Sequence, residues 1–408
     1  MKQIMVALFV LSFHFKGFSQ TFLTAPIRSH IEFLASDELE GRGTASLGEI
    51  RAANYIASVF KNASLRPAGT DGSYFQPFEV SIGIEGNAHK LTARNVVGFL
   101  DNGANKTIVI GAHYDHLGKG FQGSSLSPNS KNQIHNGADD NASGTAGLLE
   151  LARYFAGNSV TEKHNFLFIA FSGEELGLIG SKYFTEKPSI PLTSVACMIN
   201  MDMIGRLNPD KGVIVSGWGT SSMWGKMIPD LAKKAKLKYT VDSAGVGASD
   251  HTSFYLKNIP VLQFFTGTHM DYHKVSDDID KINFEGESQI LSLIAGLLRE
   301  VDKQSNDPDF LTAGNPHTGA TTTDFKVTLG VMPDYSYSGK GLKIDGVSKA
   351  RPGDKAGILA GDIIKKLAGK EIGTIYDYME ILGQHEKGEQ VEAELLRGSE
   401  TKIVKVTF

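Results

Sequence analysis

Thr107-Ile-Val-Ile-Gly-Ala-His-Tyr-Asp115 is a short apolar run that stops on a histidine and a carboxylate. Its length, its β-branched residues and its lack of helical periodicity predict a buried strand. The pattern recurs. Asn165-Phe-Leu-Phe-Ile-Ala-Phe171 ends in Ser172-Gly-Glu174-Glu175, Ala196-Cys-Met-Ile-Asn-Met201 ends in Asp202, and Val261-Leu-Gln-Phe-Phe265 is followed by Tyr272-His273. Asn136-Gly-Ala-Asp-Asp140-Asn-Ala-Ser-Gly144 leads into a helical pattern.

Outward from these, strand-like runs cover Leu91–Phe99, Thr107–Ala112, Asn165–Phe171, Val195–Met201, Gly212–Ser216 and Val261–Phe265. Helical patterns cover Ala25–Ala35, Leu47–Ala63, Gly144–Phe155, Glu175–Phe184, Ser222–Lys236, Asp250–Lys257 and Glu285–Val301. Interleaved strands and helices predict an α/β unit, a mostly parallel mixed sheet flanked by helices. Ligands of such sheets bind off the carboxyl ends of the strands, where the acidic and histidine clusters fall.

The 408 residues suggest more than one domain. The α/β unit is read as 21–304. Ser305–Asp324, rich in Asn, Asp, Pro, Gly and Thr, reads as a flexible linker, and 325–408 as a small β-rich module with Gly-rich turns. Lys2, the apolar run Ile4–Phe13 and the small or polar Gly17, Ser19 and Gln20 read as a signal peptide over 1–20, too short to span a bilayer. With no other candidate transmembrane segment, this predicts a periplasmic or secreted product. A formal charge of −4 argues against a nucleic-acid partner, which would need a basic excess. The single cysteine, Cys197, excludes a disulfide framework, a cysteine zinc finger and an iron–sulfur cluster. A metal here would be held by His, Asp and Glu.

Each cluster also has a plain structural explanation. His113 alone reads as a satisfied strand-end histidine, with Asp115 on the same side of the strand as the group that orients its ring. Ser172-x-x-Glu175 fits a helix capping box, Asp139-Asp140 fits an N-cap, and Asp202 a turn residue. All of these would have to hold at once at one sheet edge. Two imidazoles and three carboxylates converging there can instead hold two divalent ions; nitrogen and oxygen donors suit zinc, with cobalt or manganese left open.

The ordered set His113-Tyr-Asp115, Gly137-Ala-Asp-Asp-Asn-Ala-Ser-Gly144, Ser172-Gly-Glu-Glu-Leu-Gly-Leu-Ile-Gly-Ser181, Asn200-Met-Asp202 and Tyr272-His-Lys-Val-Ser-Asp277 resembles the di-zinc aminopeptidases of the MH clan, zinc exopeptidases that include secreted bacterial leucine aminopeptidases. The approach sequence His30-Ile-Glu-Phe-Leu-Ala-Ser-Asp-Glu-Leu-Glu-Gly-Arg42 is similar to that of exported bacterial members. The resemblance implies two Zn2+ per chain, bridged by Asp140, with His113 and Asp202 on one and Glu175 and His273 on the other. It implies a cis Asp140–Asn141 peptide, no ligand role for Asp139, and Glu174 as general base toward a metal-bridged hydroxide. Tyr272 is either an oxyanion donor or a packed ring. His116, His135, His251 and His269 lie in or near the same loops; His273 is preferred to His269 because an acidic residue, Asp277, follows at a short gap. His251 reads as structural, and Arg206 as either a substrate contact or an ion-pair partner. The activity implied is removal of N-terminal residues from peptides. Related alternatives are a glutaminyl-cyclase-like zinc cyclotransferase and an inactive receptor-like peptide-binding protein.

The last module resembles a PDZ domain. Ser338-Gly-Lys-Gly-Leu-Lys-Ile344 looks like the carboxylate-binding loop and peptide-pairing strand, with Gly339, Gly341, Leu342 and Ile344 as groove candidates. Pro352-Gly-Asp-Lys-Ala-Gly-Ile-Leu-Ala-Gly-Asp-Ile-Ile364 reads as a short helix, a Gly turn and a strand. The resemblance implies either capture of a protein C-terminus by strand addition or a spacer with an empty groove.

Overall fold

A computed structural model describes residues 22–82, 89–122, 125–127, 130–313, 327–333, 339–347, 351–373 and 375–408. The expected signal peptide, the last eleven residues of the expected linker (314–324) and the first two residues of the expected module lie outside them. Among the described residues no helix is long and apolar enough to cross a membrane.

The large unit begins with α1 (Thr24–Leu34) and α2 (Leu47–Asn62), whose N-terminus is capped by the Ser46 hydroxyl accepting the Glu49 N–H. Strands β1 (Arg66–Pro67), β2 (Phe75–Ile82), β3 (His89–Leu100) and β4 (Thr107–His113) follow. Then come α3 (Gly144–Gly157), β5 (Asn165–Phe171), α4 (Ile179–Glu186), β6 (Val195–Met201), β7 (Val213–Ser216), α5 (Trp224–Ala235), β8 (Tyr239–Val241), α6 (His251–Tyr255), β9 (Val261–Phe265) and α7 (Phe284–Lys303). The strands form one sheet in the order β1-β3-β5-β4-β6-β9-β7-β8, with β2 paired to β3. Its centre, β5-β4-β6-β9, is parallel, and β3 and β7 join antiparallel on either side.

The apolar runs form the centre because they are buried on both faces. Successive side chains alternate: Ile108 and Ile110 enter the core under α1, α2, α3 and α7, while Val109 enters the core with Phe184 of α4 and Phe254 of α6. The parallel strands therefore all end at one edge, and their loops must carry the clusters.

The start of α4 and the presence of β2 differ from the sequence pattern. The expected helix Glu175–Phe184 begins only at Ile179, because Gly177 (φ 101°) and Leu178 (φ 62°) hold a left-handed turn. Ser172 is not a capping residue; its hydroxyl binds the buried Glu49 carboxylate. Strand β2, absent from the expectation, alternates buried and exposed residues around Pro77 and lies beside β3 at the sheet's margin.

Residues 305–313, the described part of the expected linker, run against the large unit. Asp307 meets His164 at 3.0 Å, Asp309 accepts from Ser221 and Ser222, the Leu311 N–H donates to the Thr220 carbonyl, and the Ala313 N–H donates to the Tyr255 hydroxyl. This stretch is strapped down.

The second unit comprises β10 (Val331–Pro333), β11 (Leu342–Val347), α8 (Pro352–Lys355), β12 (Ile363–Leu367), β13 (Lys370–Glu371), α9 (Ile375–Leu382), β14 (Gln390–Arg397) and β15 (Glu400–Thr407). Its strands pair antiparallel around a separate core that includes Leu329, Ile344, Ile364 and Leu395. Among the described residues, the Thr268 hydroxyl donates to the Pro333 carbonyl and the Arg351 side chain to the Ser125 carbonyl, linking it to the large unit.

Candidate metal centre

The loop carrying Asp140 is built first by what it lacks. Gly137 sits at φ 56°, and a Cβ there would lie 2.1 Å from the Asp140 carbonyl oxygen and 2.5 Å from the His116 ring. Only glycine fits. Asp277 then accepts the backbone N–H groups of Asp139 and Asp140 on one carboxylate oxygen, both at 3.0 Å. Burial, followed by the charge of Asp139, pushes Asp277 up to about 6. The Asp140–Asn141 peptide is cis. The Asn141 side chain accepts from the Gly144 and Met203 N–H groups and donates to the Met201 carbonyl, tying this loop to the end of β6.

Asp140 stands at the centre of the cluster. Its Oδ1 lies 3.4 Å from His113 Nε2, and its Oδ2 lies 3.2 Å from His273 Nε2. His113, at the end of β4, is also 3.3 Å from Asp202, at the end of β6. Glu175 is 3.2 Å from His273. The structure thus brings together His113, Asp140, Glu175, Asp202 and His273. Asp115 reaches the His113 Nδ1 with its backbone carbonyl at 3.2 Å, its carboxylate standing 3.8 Å away. That carboxylate instead accepts from the Thr44 hydroxyl and the Glu174 N–H.

The other candidates separate cleanly. The Asp139 carboxylate turns to the Gly205 N–H, the Ser143 hydroxyl and His269, 3.0 Å from it, so His269 is engaged away from Asp140. His135 bonds Ser125. His251 is buried and drawn down to about 3 by burial. Arg206 pairs with Asp271 at 3.2 Å. The Tyr272 ring stacks on His273, centroids 3.9 Å apart.

The electrostatics of the cluster suit a cation. Burial opposes charging of both His113 and His273, yet the neighbouring carboxylates, Glu174 and Asp202 around the first and Glu175 and Asp140 around the second, hold both well above the ordinary imidazole range. Burial also works against the Glu175 charge, but His273 and His116 pull it down to about 2. Glu174 is raised by burial and by the charges of Asp202, Glu175 and Asp250, against the pull of His113. Asp250, at the start of α6, is pushed to about 7 by burial. Oxygen and nitrogen donors with excess negative charge and no sulfur suit divalent cations. Two sets of donor atoms lie close enough to share an ion: His113, Asp140 and Asp202, and His116, Asp140 and Glu175.

For three groups the sequence pattern gave no role at the cluster. His116 and Asp250 are two. The third is Arg42, whose fully buried guanidinium donates to the carbonyls of Tyr114, Leu34, Asn136 and Gly137, binding the chain before the sheet to the loops that carry His113 and Asp140. Burial lowers Arg42 to about 10, resisted by Asp140 and Asp115. Arg42→Met should orphan these carbonyls and cost about 3–5 kcal/mol, on the order of 10 °C in Tm. Thermal unfolding within about 2 °C of wild type would show that water replaces the guanidinium without loss.

Residues 95–298, half of the chain, match the model of peptidase family M28, and residues 321–408 match that of the PDZ domain. The chain belongs to peptidase family M28. Among curated relatives of this M28 chain, the probable leucine aminopeptidase of Trichophyton verrucosum is 25% identical over 234 residues, 55% of this chain and 60% of that one. Aminopeptidase YwaD of Bacillus subtilis is 30% identical over 182 residues, 42% of this chain and 39% of its own. The match therefore spans less than two thirds of either relative. A Zn-dependent exopeptidase from Parabacteroides distasonis shares the fold at TM-score 0.57 and 17% identity, over 69% of this chain and 99% of that one.

In the PDZ unit, β11 pairs with β10 through Ile344–Val347 and with β12 through Leu342–Lys343. Leu342 and Ile344 are buried in the module's own core, and the Gly341 N–H donates to the Gly373 carbonyl. Gly339 is exposed.

Proposed function

We propose that this M28 chain is an exported, zinc-dependent aminopeptidase that removes N-terminal residues from peptides. The observation that carries the proposal is the convergence of His113, Glu175, Asp202 and His273 around Asp140, with a fourth carboxylate, Glu174, half-buried beside them. His113 and Asp202 would hold one ion, Glu175 and His273 the other, and Asp140 would bridge. Bound there, divalent cations supply Lewis acidity, lowering the pKa of water and polarising a carbonyl.

The chain's own groups supply the rest. Glu174, held by its N–H on Asp115, takes a proton from the attacking water and delivers it to the leaving amine. Its raised affinity for a proton suits both transfers. A free α-amine would be met by Glu174 or Asp202, which stand 4.0 and 3.3 Å from His113. Export rests on Lys2 and the apolar run Ile4–Phe13. The proposed division is a signal peptide over 1–20, a peptidase unit over 21–304, a connection over 305–324 and a PDZ-like unit over 325–408. A protein C-terminus as ligand of that last unit is the finer part of the proposal, supported by the family match alone.

A panel of free-amine and N-blocked dipeptides, incubated with the zinc-loaded protein and read by mass spectrometry, tests this reading. The expected result is release of the N-terminal residue from free-amine substrates only. Release of the C-terminal residue from blocked peptides would make it a carboxypeptidase. Ammonia and a cyclised N-terminus from Gln-peptides would make it a cyclotransferase.

A further inference from the structure

His116 is fully buried beside the second cluster, and nothing in the proposed chemistry uses it. Its Nδ1 lies 2.7 Å from Glu175 Oε1 and 3.8 Å from Asp140 Oδ2. Its ring meets that of His273 edge-on, centroids 5.9 Å apart. Its Nε2 has no hydrogen-bond partner among the described residues, so the ring's polar engagement is on the Glu175 side. The space it occupies exists because Gly137 has no side chain: a Cβ there would come within 2.5 Å of the ring. Its backbone N–H is fixed on the Arg42 carbonyl at 3.1 Å.

These distances bear on coordination. Donors about 2.0–2.2 Å from a tetrahedral zinc lie about 3.3 Å from one another. His273 stands 3.2 Å from both Asp140 and Glu175, and the two His116 separations, 2.7 and 3.8 Å, bracket the same spacing. We propose that His116 is a further protein ligand, giving the second cation a donor set of His116, His273, Asp140 and Glu175. This rests on the two-cation reading above. It makes the centre asymmetric. The cation of Glu175 is enclosed by four protein groups, as in structural zinc sites, whereas that of His113 and Asp202 has three and keeps a position for water and substrate. Coordination through Nδ1 places the ring's proton on Nε2; any Nδ1 proton donated to Glu175 is released to solvent as the ion binds.

The test is zinc K-edge X-ray absorption on full-length, tag-free protein loaded with two zinc equivalents, whose multiple scattering counts imidazoles. The expected count is about three imidazoles per two zinc ions in wild type and about two in His116→Ala. Calorimetric zinc titration should show one of the two ions weakened by at least about 100-fold in the variant, the other little changed. The wild-type count needs no variant, so it decides even if His116→Ala fails to fold. About two imidazoles per zinc pair in wild type would overturn the proposal and leave His116 as a hydrogen-bond donor to Glu175. A protein that binds no stoichiometric zinc would overturn the two-cation reading with it.

Discussion

Glu174→Gln should lose on the order of 1,000-fold or more in kcat while still binding two zinc ions. The substitution keeps the shape and the N–H held by Asp115, so the loop from Ser172 to Leu178 has no reason to move. What it removes is a group able to accept a proton. Glu174 is 4.0 Å from His113 Nε2, farther than Asp140 or Asp202, which places it beside the proposed ligands and outside their number. Kinetics on a free-amine substrate and elemental analysis of the same sample check both halves. A rate within tenfold of wild type would remove Glu174 as the proton carrier, and loss of zinc would make it a ligand.

Asp140→Ala should abolish turnover and release both ions. Asp140 alone presents one oxygen toward His113 and the other toward His273, so deleting it unbalances both clusters together. Its backbone is held independently, by Asp277 on its N–H, and the loop should keep its course. A ligand that binds only the folded state stabilises it by about 2.7 kcal/mol at 100 times its Kd. Added zinc should therefore raise the Tm of wild type and leave that of Asp140→Ala unchanged. A variant that retained two zinc ions would refute the bridging assignment.

The sheet was legible because its four central strands are buried on both faces and so read as unbroken apolar runs. The strand ends followed, since a parallel sheet sends all of them to one edge. Strand β2 was hidden: Phe75–Ile82 carries a proline and alternates, with no apolar run to mark it. The turn at Gly177-Leu178 was hidden as well, because the apolar spacing beyond Glu175 continues through it in helical register while the backbone does not. Arg42 and His116 were illegible for a deeper reason. Arg42 acts on carbonyl oxygens contributed by Leu34, Tyr114 and the Asn136–Gly137 turn, and no side-chain pattern records where carbonyls gather. His116 was visible as a residue, but its partnership with Glu175 depends on the room left by Gly137. The polar stretch after Lys303 misled in the opposite sense. Composition suggested a free chain, whereas Asp307, Asp309 and Ala313 each find a fixed partner.

That strap shortens the leash on the C-terminal module. With Ala313 anchored and Val327 already in the module's core, the path between them spans at most about 50 Å. A tether of this order holds its two ends at a mutual concentration in the millimolar range. The pair of hydrogen bonds from Thr268 and Arg351 would be a negligible affinity between separate molecules, yet at that local concentration even so slight a contact recurs constantly. The two units are permanent neighbours by confinement.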